Sequence, residues 1–180
     1  MKSDKMTGDE RRSYITELLK HATEPITGQL LAEKTGVSRQ VIVTDIALLR
    51  ANGEAIMATS RGYVYQIDQP QENLYQKVVV CRHAPEQTQD ELHAIVDCGV
   101  TIINVIVEHP FYGDLTGSLM INSRYDVNRF IEAFSDQEAT LLSVLTDGTH
   151  LHTLSSDSME KIEAACEALK NLGILVTENK

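Results

Sequence analysis

Thr27-Gly-Gln-Leu-Leu-Ala-Glu-Lys-Thr-Gly-Val-Ser-Arg-Gln-Val-Ile-Val-Thr-Asp-Ile-Ala-Leu-Leu-Arg-Ala-Asn-Gly53 is the stretch on which the fold of the first half turns. Thr27 is placed to cap a short helix over 28–34, and Gly36 to end it. Ser38 is placed to cap the next helix, over 39–50, and Gly53 follows shortly beyond its end. Within that helix Ile42, Ile46 and Leu49 recur at i, i+4 and i+7, an apolar stripe that must pack on a neighbour. Upstream, 9–21 carries Ile15, Leu18 and Leu19 at helical spacing, and Thr23-Glu-Pro25 stops it. Downstream, 55–67 reads as two short strands around Ser60-Arg-Gly62, a β-hairpin. Three helices, the last two joined by the tight Gly36-Val37-Ser38 turn, and then a hairpin, make a winged helix-turn-helix.

A chain of 180 residues has room for this unit and one more. Charge separates them. The 9 Lys/Arg and 9 Asp/Glu of 1–70 cancel, so the net −10 sits wholly in the remainder. An acidic second half repels nucleic acid and favours cations, whereas a neutral first half can hold phosphate if its basic groups share one face. Together with the polar stretch Asp68-Gln-Pro-Gln-Glu-Asn73, this predicts domains over 1–68 and 74–180. The longest apolar run, at 100–107, is too short to span a membrane and is interrupted by Thr101 and Asn104. The N-terminus has no apolar signal segment, and Cys81, Cys98 and Cys166 are odd in number and widely spaced. A cytoplasmic chain with reduced thiols is the expectation.

In the second half Lys77-Val-Val-Val-Cys-Arg82 reads as a buried strand, 85–96 as a helix with Leu92, Ile95 and Val96 inward, and 100–107 and 115–121 as strands. A helix over 125–134 presents Val127, Phe130, Ile131 and Phe134 on one face, and 139–145 reads as a strand. That order is βαββαβ, a ferredoxin-like α/β sandwich. Extra elements follow: Asp147-Gly148 turns into a strand through Leu154, Asp157 caps a helix over 158–172, and 174–176 reads as a short edge strand. The class is α+β.

Two sets of residues carry chemistry. Near the start of the third helix Ser38, Arg39, Gln40, Val43 and Thr44 are left facing outward, where a recognition helix meets base edges. Arg39 suits guanine or phosphate, Gln40 suits adenine, and Val43 and Thr44 suit a thymine methyl. Arg61 at the wing tip is placed for a phosphate or the minor groove, and Tyr63 for the backbone. A three-helix domain used for protein contact is the plainer alternative.

In the second half His150 and His152 are two apart on a strand and share a face, His83 ends another strand, and Glu91 lies at the edge of a buried helical stripe. Three imidazoles and a carboxylate suit zinc, nickel, cobalt or iron, with nickel and zinc foremost. Asp90 faces water, and His21 and His93 read as hydrogen-bonded surface histidines. Cys81 has the strand parity of His83 and reads as a buried thiol before a soft ligand. His109, ahead of Pro110, either orients a ligand or caps the sheet.

Ser38-Arg-Gln-Val-Ile-Val-Thr-Asp-Ile-Ala-Leu-Leu-Arg50 resembles the helix-turn-helix of the biotin-repressor type. Val80-Cys-Arg-His-Ala-Pro-Glu-Gln87, Glu91-Leu-His-Ala-Ile-Val-Asp-Cys-Gly99, Val107-Glu-His-Pro-Phe-Tyr-Gly113 and Asp147-Gly-Thr-His-Leu-His-Thr-Leu154 resemble the 3H domain, named for its histidines. From about Arg11 to Leu172 the chain is similar to the niacin-responsive repressors. That resemblance implies a divalent metal held by His83, Glu91, His150 and His152, nicotinic acid as effector, and repression of genes for NAD biosynthesis or niacin uptake. The pyridine nitrogen would fill an open metal position, with Arg82 or Tyr112 on the carboxylate and His109 beside them. Double-stranded operator DNA and a homodimer follow as partners. A metal sensor without an organic effector is an alternative. A metal-dependent hydrolase is another, although no H-E-x-x-H appears. The expectation is a regulator and not an enzyme.

Overall fold

The computed structural model describes residues 6–66, 74–135 and 140–177. The chain divides into two compact units, Met1–Pro70 and Gln71–Lys180. The polar stretch expected to link them, at 68–73, lies outside the described residues.

The first unit is three helices and a hairpin: α1 (Gly8–His21), α2 (Gly28–Thr35), α3 (Arg39–Ala51), β1 (Ile56–Thr59) and β2 (Gly62–Tyr65). Each helix starts at a hydroxyl cap that satisfies an otherwise orphaned amide, with Thr7 accepting from Glu10, Thr27 from Leu30 and Ser38 from Val41. Ile15, Leu19, Leu31, Ile42, Ile46 and Leu49 close the core, each buried side chain contributing about 1.5–3 kcal/mol. Asp45 of α3 is buried and bound by Arg11 (2.6 Å) and Arg12 (3.1 Å) of α1, which ties the third helix to the first. β2 lies hard against the segment before α2, where Ile26 and Tyr63 exchange backbone hydrogen bonds. A side chain at Gly62 would meet the Ile26 carbonyl at 2.7 Å, so only glycine permits this contact.

The second unit runs β3 (Tyr75–Arg82), a 3-10 turn (Pro85–Gln87), α4 (Thr88–Val96), β4 (Thr101–His109), β5 (Gly113–Ile121), α5 (Arg124–Ser135), a 3-10 segment (Leu142–Thr146), β6 (Thr149–Ser156) and α6 (Met159–Asn171). The α+β class is as the sequence reads; the βαββαβ succession is present, but its last strand is β6 and not the run expected at 139–145. The sheet is antiparallel in the order β3-β6-β4-β5, so the strand inserted between β3 and β4 is β6. The core joins one face of this sheet to α4, α5 and α6 through Val79, Leu92, Ile95, Ile102, Val127, Leu154, Ile162 and Leu169.

Three expectations are corrected. The run read as a strand at 139–145 pairs with no strand; Ala139 is outside the described residues, and Leu142–Thr146 is 3-10. A short apolar run does not reveal its own period, and Leu141 and Leu142 are instead turned over a cavity beside α5. The single helix read over 85–96 breaks at Thr88 into a 3-10 turn and α4. The edge strand at 174–176 reduces to an isolated bridge, Leu175 to Cys81, beside β3.

β4 carries an irregularity that matters below. From Ile102 to Asn104 it advances two residues while β6 advances one, leaving Ile103 as the extra residue of a bulge. On its other side β5 accommodates the shift with Met120 at φ 56°.

Candidate functional site

His83, Glu91, His150 and His152 come together inside the second unit, all buried. Strand pairing does most of the placing. In the β3–β6 ladder Cys81 faces His150 and Val79 faces His152, so both histidines point to the helix side, and His83 continues the parity of Cys81. Glu91 enters from the N-terminal half of α4, where the helix field favours a carboxylate.

The hydrogen bonds sort each imidazole the same way. His83 Nδ1 donates to the Ala84 carbonyl at 2.7 Å, His150 Nδ1 to the Gly148 carbonyl at 2.9 Å, and His152 Nδ1 to the Asn104 carbonyl at 2.7 Å. A carbonyl can only accept, so all three Nδ1 atoms carry the proton and each Nε2 is left with a lone pair in the neutral ring. Those three Nε2 atoms converge on the Glu91 carboxylate at 2.8, 3.0 and 3.5 Å. Nε2 of His152 is buried with no hydrogen-bond partner. Lone pairs aimed at a carboxylate repel unless a proton or a metal cation lies among them.

The donor types, imidazole and carboxylate, suit a transition metal. Bonds of about 2.0–2.2 Å to nitrogen and oxygen put neighbouring donors about 2.8–3.5 Å apart, the spacing seen between Glu91 and the histidines. The carbonyls on the Nδ1 atoms are the outer groups that fix tautomer and ring direction at such a centre. Burial alone would raise the Glu91 pKa, but His152, His150 and His83 together hold it well below the usual carboxylate range. Burial opposes a charge on His83, but the hydrogen bond to Glu91, the Glu91 charge and the Ala84 carbonyl together outweigh it and raise the pKa. Burial, then Glu91, pushes the Cys81 thiol up, so it sits beside the cluster as a neutral S–H. The donor atoms of Cys81, Glu91 and His150 all lie within 4.8 Å of one another.

Two backbone features were invisible in the residue pattern. The bulge at Ile103 turns the Asn104 carbonyl to His152, while the Asn104 side chain accepts from the Thr153 amide at 3.1 Å in its place. Gly148 has φ +85°, and a side chain there would meet the His83 carbonyl oxygen at 2.1 Å. Glycine thus lets one turn feed both His83, whose amide donates to the Gly148 carbonyl, and His150.

Against the cluster lies a cavity of about 210 Å³, walled by Leu92, Val105, Leu119, Phe130, Phe134 and Leu142, with Thr88 and Ser143 among its few polar groups. An apolar cavity of about 150 Å³ takes a benzene ring, so this one has room for a single substituted ring. Arg82, His109 and Tyr112, expected beside the ligand, do not line it. Arg82 lies on the opposite parity of β3 and borders a neighbouring open groove with Pro85, Val144 and Asp147. His109 caps the β4–β5 turn by accepting from the Phe111 and Tyr112 amides, and Tyr112 is 77% exposed. His93 bonds Asn128 at 3.1 Å on the surface, as its position suggested.

In the first unit Ser38 serves as the α3 cap, Arg39, Gln40 and Thr44 are exposed beside it, and Val43 is half-buried. Thr44 donates its hydroxyl to the Gln40 carbonyl at 3.1 Å. Arg61 is bound to Glu24 at 2.8 Å and must release it to reach a phosphate. Tyr63 packs against the core.

A helix-turn-helix unit joined to a histidine-lined α+β unit defines a class of DNA-binding regulators, and two family models match accordingly: an HTH domain over 11–64 and the 3H domain over 76–178. The chain belongs to the 3H-domain family of transcription repressors. It is 45% identical to the transcription repressor NadR of Bacillus subtilis, over 97% of each chain. It is 38% identical to the probable transcription repressor NiaR of Thermotoga maritima, over 97% of this chain and 98% of that one. The family is one of regulators and not of enzymes. Among the described residues no helix is long and apolar enough to cross a membrane.

Proposed function

We propose that this repressor is controlled by nicotinic acid bound at a divalent metal, with operators in genes of NAD biosynthesis or niacin uptake. The observation that carries this reading is the set of three imidazoles, each fixed by a carbonyl at Nδ1, turning Nε2 toward buried Glu91 at the end of a ring-sized apolar cavity. His83, Glu91, His150 and His152 would hold the metal, nickel or zinc by donor type. When bound it supplies a positive charge and an open coordination position. The cavity walls orient a flat ring, and the carbonyls of Ala84, Asn104 and Gly148 keep the imidazoles in the metal-ready tautomer. A domain that carries the whole net charge of −10 needs that cation to admit an anion. Both relatives are named as transcription repressors, which fits control exerted at an operator.

Regulation then follows by population shift, in which the effector favours the arrangement that places two recognition helices of a homodimer on successive major grooves. Operator affinity should be measured by fluorescence anisotropy on a promoter fragment, with metal alone and with metal plus nicotinate. A change of at least tenfold on adding nicotinate is expected, a coupling of about 1.4 kcal/mol. Equal affinity with and without it would refute the reading and leave a metal sensor.

A further inference from the structure

Among the described residues three hydroxyls are buried without a hydrogen-bond partner, those of Thr16, Thr88 and Ser155. Thr88 alone of these lines the cavity beside the histidines. It is 7% exposed and opens α4, one turn ahead of Glu91. Residues three apart on a helix share a face with Cβ atoms about 5–6 Å apart, so Thr88 and Glu91 stand on one face of α4 beside the same cavity. Leaving a buried hydroxyl unbonded costs stability, and a ligand that accepts from it offsets that cost.

We propose that the Thr88 hydroxyl is a ligand-recognition group, donating to an acceptor at the far end of the molecule whose near end meets the metal. The inference rests on the metal reading above. It adds to that reading a hydrogen-bond acceptor on the ligand, carried on the ring away from the atom that meets the metal. Leu92, Phe130 and Phe134 supply apolar wall, which carries no such selectivity. Neither Arg82 nor Tyr112 lines this space, so hydroxyls rather than a cationic side chain are the groups at hand for the substituent, Thr88 being the one buried without a partner.

The test uses Thr88→Val, which keeps the shape and removes the hydroxyl, and Thr88→Ser, which keeps it. The first readout needs no ligand. The melting temperature of metal-free Thr88→Val is expected to equal or exceed that of the parent, because no bond is lost; a fall of several degrees would mean that the hydroxyl is structural and would overturn the proposal. The second readout is affinity of the nickel-loaded proteins for nicotinate and for pyridine, its counterpart without the carboxylate. Thr88→Val is expected to bind nicotinate about tenfold to a hundredfold more weakly with pyridine unchanged, and Thr88→Ser to bind nicotinate within about threefold of the parent. Equal weakening of both ligands, or unchanged nicotinate affinity in Thr88→Val, would overturn the role of Thr88 while the metal reading stands. If the nickel-loaded parent binds no nicotinate, both fall together.

Discussion

Replacing Asn104 by alanine separates the strand from the site it serves. The side chain accepts the Thr153 amide at 3.1 Å, and the backbone carbonyl, freed from the ladder by the bulge, holds His152 at 2.7 Å. Without the side chain the Thr153 amide must either stay unpaired or take back the Asn104 carbonyl. The first costs about 1 kcal/mol at a half-buried position. The second removes the group that sets the His152 tautomer, a kind of loss that lowers metal affinity about 10–100-fold, or about 1.4–2.7 kcal/mol. Competition against a chelator of known strength, with nickel and with zinc, reads the affinity, and a thermal melt of the metal-free protein reads the stability. Asn104→Ala is expected to lose at least tenfold in metal affinity with a modest drop in melting temperature. Asn104→Asp, which retains an acceptor oxygen, is expected to recover most of it. Metal affinity of Asn104→Ala within twofold of the parent would refute the link between bulge and histidine.

Gly148→Ala places a Cβ 2.1 Å from the His83 carbonyl and forces alanine to φ +85°, so a loss of about 3–5 kcal/mol is expected in denaturant unfolding, with metal binding abolished; a variant as stable as the parent would contradict the packing described. Asp45→Ala leaves Arg11 and Arg12 without their shared buried partner and should destabilise the first unit by about 2–3 kcal/mol, reduced from the fully buried case because both arginines retain some exposure. Urea unfolding followed in that unit checks it. Metal binding should weaken as pH falls, because each Nε2 must be unprotonated to ligate. The pKa of His83 is raised, so it takes up a proton at higher pH than an ordinary imidazole and begins the loss. An affinity flat from pH 8 to about 5.5 would argue against imidazole ligation.

The helix-turn-helix was legible because its signals are local: Thr27 and Ser38 cap, Gly36 ends a helix, and Ile42, Ile46 and Leu49 keep helical period. The four clustered residues were legible for a related reason, since alternation places His150 and His152 on one face and Glu91 falls beside the stripe of Leu92 and Ile95. Their meeting with His83 depends on the β3–β6 register and on β6 lying beside β3, long-range facts that no local period carries. The same limit hid the bulge at Ile103, the double use of Asn104, and the cavity wall formed by Leu141 and Leu142. Arg82 and Tyr112 were chosen by charge and donor type alone, and strand parity and a hairpin tip put them elsewhere. Thr88 gave no signal, because a lone threonine at a helix start is ordinary and only a solved interior shows that its hydroxyl has no partner.

The central claim is that metal and nicotinate occupy one site, and calorimetric titration of nicotinate tests it most directly. The metal-loaded parent, the metal-stripped parent and metal-treated His150→Ala should be titrated side by side, with nicotinamide as a second ligand. Saturable binding of the acid to the loaded parent, absent from the other two, is the expected result. Equal binding of nicotinate to loaded and stripped protein would contradict the claim and separate the acid from the metal.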